Sequence, residues 1–188
     1  SYLESKKYSN FELDVQELKK NEDFINIVLA LNVGQKVLIN KININGNTIT
    51  EEKTIRDNIL LAEGDYLNST KIKKSVDNIK SKQYFSKVDF KIEDSDKKNF
   101  KDFNLFVKEQ PTGSISAGVG YGTNGGLFEA SINERNFLGQ GINLNFTGRF
   151  STEAIKGDFS YIDPNFNNSN KELAASVFSD LEDYETSG

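Results

Sequence analysis

Residues 107–122 read V-K-E-Q-P-T-G-S-I-S-A-G-V-G-Y-G, and the chain changes character inside this stretch, at Pro111. Residues 1–110 hold 19 Lys and Arg, 18 Asp and Glu and 3 Gly, whereas residues 111–188 hold 4, 10 and 11. The shift separates a charged half, mixing helix-like and strand-like segments, from a half that reads as one strand after another. Beyond Gly113 the period is two. Ile115, Ala117, Val119 and Tyr121 fall on one face, and Ser114, Ser116, Gly118 and Gly120 on the other, because successive side chains of a strand point to opposite faces. Two kinds of structure, suited to two different solvents, meet at V-K-E-Q-P-T-G.

Downstream the alternation continues. Thr123-Asn124-Gly125-Gly126 reads as a tight turn. Phe128, Ala130 and Ile132 then alternate with Glu129, Ser131 and Asn133. Asn136 to Gly141 (N-F-L-G-Q-G) is a second turn. Ile142, Leu144, Phe146, Gly148 and Phe150 alternate with Asn143, Asn145, Thr147 and Arg149, and Ser151 to Ala154 is a third turn. Ile155, Phe159 and Tyr161 alternate with Lys156, Asp158 and Ser160; Asp163-Pro164-Asn165 breaks the chain. A fifth strand covers Leu173 to Asp180, and its facing cannot be assigned from the sequence.

Upstream, Leu38, Ile42 and Ile44 predict a strand ended by Asn45-Gly46-Asn47. Thr50 is the expected N-cap of a helix carrying Ile55, Ile59 and Ala62, with Glu51 and Glu52 at the positive end of its dipole. Glu63-Gly64-Asp65 ends it. Asn68 or Ser69 caps a second helix with the apolar face Ile72, Val76 and Ile79. Strands follow at Val88–Ile92 and Phe103–Val107, giving β-α-α-β-β. Residues 1–9 read as a helix end, and Phe11–Val15 and Ile25–Val33 as a hairpin turning at Lys19–Asp23. Tyr8-Ser9-Asn10-Phe11 matches Phe85-Ser86-Lys87-Val88, and Asp23–Ile27 matches Asp102–Phe106, an internal repeat at offsets of 77 and 79 read from the sequence. Residues 1–34 therefore read as the tail of a preceding copy, and the chain, which begins with Ser, as a piece cut from an array.

The composition narrows the function classes. His and Cys are absent, which removes the usual zinc ligands and the usual nucleophile–base pairs. No catalytic residue, metal ligand or cofactor is nominated, and the expectation is a protein that is not an enzyme. The formal charge is −5 and no basic patch is interleaved with aromatics, which argues against a nucleic-acid partner. The glycines of Y-G-T-N-G-G lack the following helix that a dinucleotide loop needs. Paired carboxylates such as Asp158 and Asp163, or Glu182 and Asp183, lack any calcium-loop spacing and read as solvated loop charge.

Alternation alone leaves a soluble β-sandwich and a membrane barrel open. Three features favour the barrel. Gly113 to Gly122 has the length needed to cross at a tilt. The polar face carries Ser, Asn, Thr and Gly, as a water-filled lumen would. Tyr121, Phe128, Phe137, Phe150, Tyr161 and Phe166 fall near strand ends, where aromatic girdles lie.

On these residues the chain resembles a family. Val37 to Gln110, with its I-N-G-N, A-E-G-D-Y and Y-F-S-K-V landmarks, is similar to a POTRA domain. V-K-E-Q-P-T-G-S-I-S-A-G-V-G-Y-G-T-N-G-G, N-F-L-G-Q-G and Y-I-D-P-N-F resemble the start of the barrel in BamA-type outer-membrane barrel assembly factors, the POTRA plus β-barrel family. The resemblance implies an α+β POTRA followed by an antiparallel β meander, the N-terminal part of a transmembrane β-barrel. Residues 1–34 would end one POTRA repeat, 35–110 form the last POTRA, and 111–188 supply the first five barrel strands.

It further implies folding and insertion of β-barrel proteins into the bacterial outer membrane, with the POTRA part in the periplasm. The implied partners are unfolded outer-membrane barrel proteins, accessory assembly lipoproteins and outer-membrane lipid. Two stretches would pair with client strands. One is the lateral-gate side, Ser114, Ile115, Ser116, Ala117, Gly118, Val119, Gly120 and Tyr121. The other is the POTRA edge, Lys87, Val88, Asp89, Phe90, Lys91 and Ile92. A TamA-like or two-partner secretion translocation pore, and a soluble periplasmic binding module, are the alternatives.

Overall fold

Period-two patterning accounts for most of the backbone. The computed structural model describes residues 11–21, 24–33, 35–122 and 125–182; the helix end read at residues 1–9 lies outside them, as do Thr123 and Asn124 of the first meander turn. Two compact units divide the described chain. The first gathers residues 11–45, 58–81 and 87–107, the second 46–57, 82–86 and 108–182.

In the first unit, β1 (Phe11–Asn21) and β2 (Phe24–Val33) form an antiparallel hairpin in which Val15 faces Leu29. A three-stranded sheet has the order β3-β5-β4, from β3 (Leu38–Asn45), β4 (Phe85–Asp94) and β5 (Phe100–Glu109). β3 and β5 are parallel, with Ile42 beside Phe103 and Ile44 beside Leu105. The helix Ser69–Ser81 buries Ile72, Val76 and Ile79, the face its 3.6-residue spacing predicts. With Ile39, Phe103 and Leu105, each fully buried, these residues make an apolar core. Asn68 is the cap: its Oδ1 accepts the Lys71 N–H at 2.8 Å.

The repeat offsets do not carry over to strand register. Phe11 pairs with Val33 in the first hairpin, which the offsets would transfer to Val88 and Thr112. The second hairpin instead closes with the Gln110 N–H donating to the Tyr84 carbonyl at 3.1 Å.

The first predicted helix is shorter than its apolar spacing suggests. α1 is Glu52–Arg56, so Ser69–Ser81 is α2, and the N-cap position of α1 is Glu51 rather than Thr50. Thr50 is buried and its hydroxyl accepts from Asn136 Nδ2 at 2.9 Å instead of capping. Past Asp57 the donors a continuing helix would use are taken by side chains. The Leu60 N–H goes to Ser75 Oγ (2.8 Å) and the Ala62 N–H to Asp65 Oδ2 (2.9 Å). Those bonds hold the chain in a loop through Ile59 and Ala62.

The second unit is dominated by a five-stranded antiparallel meander in the order β10-β9-β8-β7-β6. Its strands are β6 (Gly113–Gly122), β7 (Gly125–Phe137), β8 (Ile142–Ser151), β9 (Ala154–Asp163) and β10 (Leu173–Glu182). Register assigns every facing. Ile115, Ile132, Phe146, Phe159 and Val177 form one cross-strand row; Val119, Phe128, Phe150, Ile155 and Leu181 form another on the same face. Between them Ala117, Ala130, Gly148 and Gly157 leave room for the rings. On the opposite face run Ser116, Ser131, Thr147 and Asp158, then Gly118, Glu129, Arg149, Lys156 and Asp180. β10 is thereby settled: Ala175, Val177 and Leu181 share the apolar face. Phe178 falls on the polar face, and nothing in the structure explains it.

Candidate functional site

The barrel-side candidate is an open edge. β6 pairs with β7 on one side, and among the described residues no strand pairs its other side. Every residue of β6 is exposed, Ile115 at 79 % and Val119 at 85 % on its apolar face. The edge residues Ser114–Tyr121 thus present alternating small polar and apolar side chains beside a free row of backbone N–H and C=O groups. Ser116 Oγ lies 2.6 Å from Ser131 Oγ across the pair. The polar face is tied by ion pairs: Arg149 to Glu129 at 2.6 Å and to Asp158 at 3.5 Å, Lys156 to Asp180 at 2.8 Å and Glu182 at 3.0 Å. These contacts link β7 to β10; among the described residues, β6 is joined to β7 by its backbone ladder and the Ser116–Ser131 hydroxyl pair.

The POTRA candidate is also an edge. β3 is covered near its start, where the Ile39 N–H donates to Asp65 O, the Gly64 N–H to Ile39 O and the Leu67 N–H to Val37 O, each at 2.8 Å. β4 has β5 on one side, and among the described residues no strand on the other. Along it Val88 is buried and Ile92 half-buried, while Lys87, Asp89 and Lys91 are exposed. Phe90 packs on Phe103 with ring centroids 5.9 Å apart. Lys87 and Asp89 pair at 2.8 Å. The hydrogen bond to Asp89 raises Lys87 above its usual value and the same bond lowers Asp89. An exposed pair of this kind contributes little stability.

A third feature, absent from the sequence reading, joins the segment 46–57 to the start of the meander within the second unit. Glu109 is its hinge point. One carboxylate oxygen accepts the Thr50 N–H at 2.6 Å, and the other accepts the Thr48 hydroxyl at 2.8 Å and the Ile49 N–H at 2.9 Å. Burial would raise the Glu109 pKa, but these hydrogen bonds outweigh it and hold the carboxyl below its ordinary value. Beside it, burial pushes the Tyr84 phenol up.

The N-F-L-G-Q-G turn docks on the same segment. Gly139 O accepts the Glu51 N–H and the Thr54 hydroxyl, both at 2.9 Å. Asn136 is buried, donates to Thr50 and accepts the Gly141 N–H at 2.8 Å through Oδ1. Gly139 has φ +77°, and a Cβ there would stand 2.1 Å from Ile49 O, so only glycine permits this approach. Glu134, at the start of the apolar row, accepts the Thr112 hydroxyl and, at 2.7 Å, the Asn136 N–H. Ile142, on the apolar parity of β8, is 8 % exposed; it pairs with Phe137 just past an irregularity in β7 between Glu134 and Phe137 and lies beside Glu51, Lys53 and Thr54 of the docked segment. The signal available beforehand was the pair of glycines in the turn; their partner segment lies some ninety residues earlier and is invisible to local pattern.

Comparisons place this geometry among known proteins. Residues 37–110 match the family model described as "POTRA: Surface antigen variable number repeat". A curated relative, the outer membrane protein assembly factor BamA of Nitratidesulfovibrio vulgaris, is 29 % identical over 163 residues, covering 85 % of this chain and 20 % of that protein. The chain spans about a fifth to a quarter of the length of such relatives. The crystal structure of BamA from Haemophilus ducreyi lacking POTRA domains 1–3 superposes with a TM-score of 0.82 at 26 % identity, covering 96 % of this chain and 35 % of that one. CdiB from Acinetobacter baumannii gives a TM-score of 0.55 at 16 % identity over 94 % of this chain and 33 % of its own, a likeness of fold alone.

Proposed function

We propose that this chain, of the BamA type in its POTRA domain and in a meander that resembles the start of the BamA barrel, serves the folding and insertion of β-barrel proteins into the bacterial outer membrane. The meander would span the membrane and the POTRA domain would lie in the periplasm. Residues 1–34 would belong to a preceding POTRA repeat, 35–110 to the last one, and 111–188 to the first barrel strands. The observation that supports the mechanism is the place of β6, the first strand of the meander and directly after the POTRA domain, with β7 its one partner among the described residues.

A client strand entering lipid exposes backbone N–H and C=O groups that cost several kcal/mol each when unpaired in hydrocarbon. Pairing with Ser114–Tyr121 would satisfy one row of them before the client closes on itself. The β4 edge, Lys87–Ile92, would offer the same kind of pairing in water, with affinity from main-chain hydrogen bonds. Neither role needs covalent chemistry or a cofactor. Unfolded outer-membrane barrel proteins are the clients in this reading, and accessory lipoproteins and lipid the further partners. A translocation-pore reading shares the fold only, as the CdiB likeness does.

Proline scanning tests it. Successive N–H groups of a strand point to opposite sides, so Ala117→Pro and Gly118→Pro together remove one donor aimed at β7 and one aimed outward. In the intact protein that carries this chain, reconstituted into liposomes, the outward variant should fold and lose client insertion. Wild-type insertion by both folded variants would contradict the templating role.

A further inference from the structure

A cleft of about 710 Å³ opens between the docked segment and the base of the meander, lined by Ile49, Tyr84, Pro111, Gly113, Glu134 and Leu138 among others. Gly113 and Glu134 are the cross-strand pair next below Ile115 and Ile132 on the same face of β6 and β7, so the cleft lies at the foot of that face. Ile49 and Leu138 line it from different segments and stand 70 % and 69 % exposed. Burial within the described chain explains neither.

Leu138 carries a second peculiarity. Its φ is +55°, a left-handed conformation in which a side chain costs energy and where Gly or Asn is the usual occupant. The turn that brings Gly139 against the segment 46–57 sets this backbone, but it does not call for a bulky apolar side chain facing out. Phe137 precedes it, and Tyr161 lies at the same end of the sheet, where an aromatic girdle would sit at one membrane interface.

We infer that Ile49 and Leu138 form a two-sided anchor immersed in the periplasmic leaflet, with phospholipid acyl chains occupying the cleft between them. The inference rests on the reading of β6–β10 as membrane-spanning. The occupant is lipid because the cleft lies at the foot of the apolar face and is lined by Ile49, Phe137 and Leu138, while its carboxylates, Glu109 and Glu134, are engaged by donors of the protein itself. One half of the anchor belongs to the 46–57 segment and the other to the meander turn, and Glu51, Thr54 and Gly139 already hold the two together. Lipid would thus hold the segment 46–57 at the membrane surface beside the first residues of β6.

The chain contains no Cys, so single-cysteine labelling is direct. Ile49→Cys, Leu138→Cys, Val119→Cys and Lys97→Cys are placed in the intact protein with any other cysteine removed, labelled with an environment-sensitive fluorophore, and reconstituted into liposomes containing lipids brominated near the glycerol or at mid-chain. Gel mobility with and without heating confirms that each variant is folded. Leu138→Asn, which accepts positive φ, is combined with Ile49→Cys as a second probe. The expected result is loss of fluorescence at Ile49 and Leu138 with shallow bromine, loss at Val119 with mid-chain bromine, and none at Lys97. Weaker quenching at Ile49 when Leu138 is Asn would also support a shared anchor. Quenching at Val119 with none at Ile49 and Leu138 overturns the anchor and leaves the spanning reading intact. Quenching at only one of the pair overturns its two-sided form. No quenching at Val119 overturns the spanning reading and the anchor with it.

Discussion

The two sheets use the same residue types to opposite ends. In the POTRA sheet Ile39, Phe103 and Leu105 are fully buried beneath α2 and its loop. In the meander Ile115, Ile132, Phe146, Phe159 and Val177 line up just as regularly, yet their side chains stay exposed or half-exposed. A soluble monomer rarely leaves so long an apolar row uncovered. The difference teaches that regular alternation fixes facing but not solvent. The first sheet is closed by protein it carries with it; the second, in the proposed reading, is closed by hydrocarbon on this face and faces water on the other, where Glu129, Arg149, Lys156 and Asp180 share one row.

That contrast can be broken in several ways, beginning with the largest effect. Phe103→Ala should cost about 3–5 kcal/mol, the range for a large core deletion, in urea titrations of the intact protein in detergent reported by a label at Lys97. A cost well below that range would mean the POTRA core is not closed. If the meander spans the membrane as proposed, Phe146→Arg should destabilise it by about 2–4 kcal/mol, the cost of a charge on a lipid face near mid-membrane, whereas Asn145→Arg on the opposite face should be mild. Equal effects in refolding into liposomes would remove the assigned facing.

The joint gives a pH-dependent effect. Glu109 is held below its ordinary value of 4.5, so the folded state binds its proton less readily than the unfolded state does. Its contribution is therefore complete above pH 4.5 and lost as pH falls through the depressed folded value. Glu109→Gln should cost about 1.5 kcal/mol at neutral pH, the range for hydrogen bonds to a charged group, and flatten that acid dependence. Hydrogen exchange at Ile49 and Thr50 reads both, and an unchanged acid profile would separate Glu109 from the joint. Asn68→Ala should cost about 1 kcal/mol through loss of the α2 cap, visible as a shifted melting midpoint. Ser116→Ala, which removes one exposed hydroxyl contact, should change stability by less than about 0.5 kcal/mol and leave client insertion intact. A marked loss of insertion would give the β6 side chains a role now assigned to its backbone.

The meander was legible because its signal is local. β6, β8 and β9 occupy the spans that alternation predicts, since each strand states its own facing every second residue. β10 was legible as a strand only: L-A-A-S-V-F-S-D-L-E mixes small, apolar and polar residues on both parities, and register with β9 had to decide. α1 was over-read because Ile55, Ile59 and Ala62 keep helical spacing through a loop whose donors are claimed by Ser75 and Asp65. The joint was illegible for a related reason. Thr50 looked like a cap and N-F-L-G-Q-G like a plain turn, and only their distant pairing through Asn136 and Gly139 shows what each residue does. The left-handed Leu138 carried no sequence cue at all, since φ is not written in composition.

The most direct measurement is an accessibility scan along β8, where both edges are paired with neighbouring strands and no edge effect intrudes. Spin labels placed singly from Asn143 to Phe150 in the reconstituted intact protein would be relaxed by oxygen, which concentrates in lipid, or by a water-soluble nickel complex. The account predicts strict alternation, with Leu144, Phe146, Gly148 and Phe150 oxygen-accessible and Asn143, Asn145, Thr147 and Arg149 nickel-accessible. Nickel accessibility at every position would contradict it and return the meander to a soluble sheet.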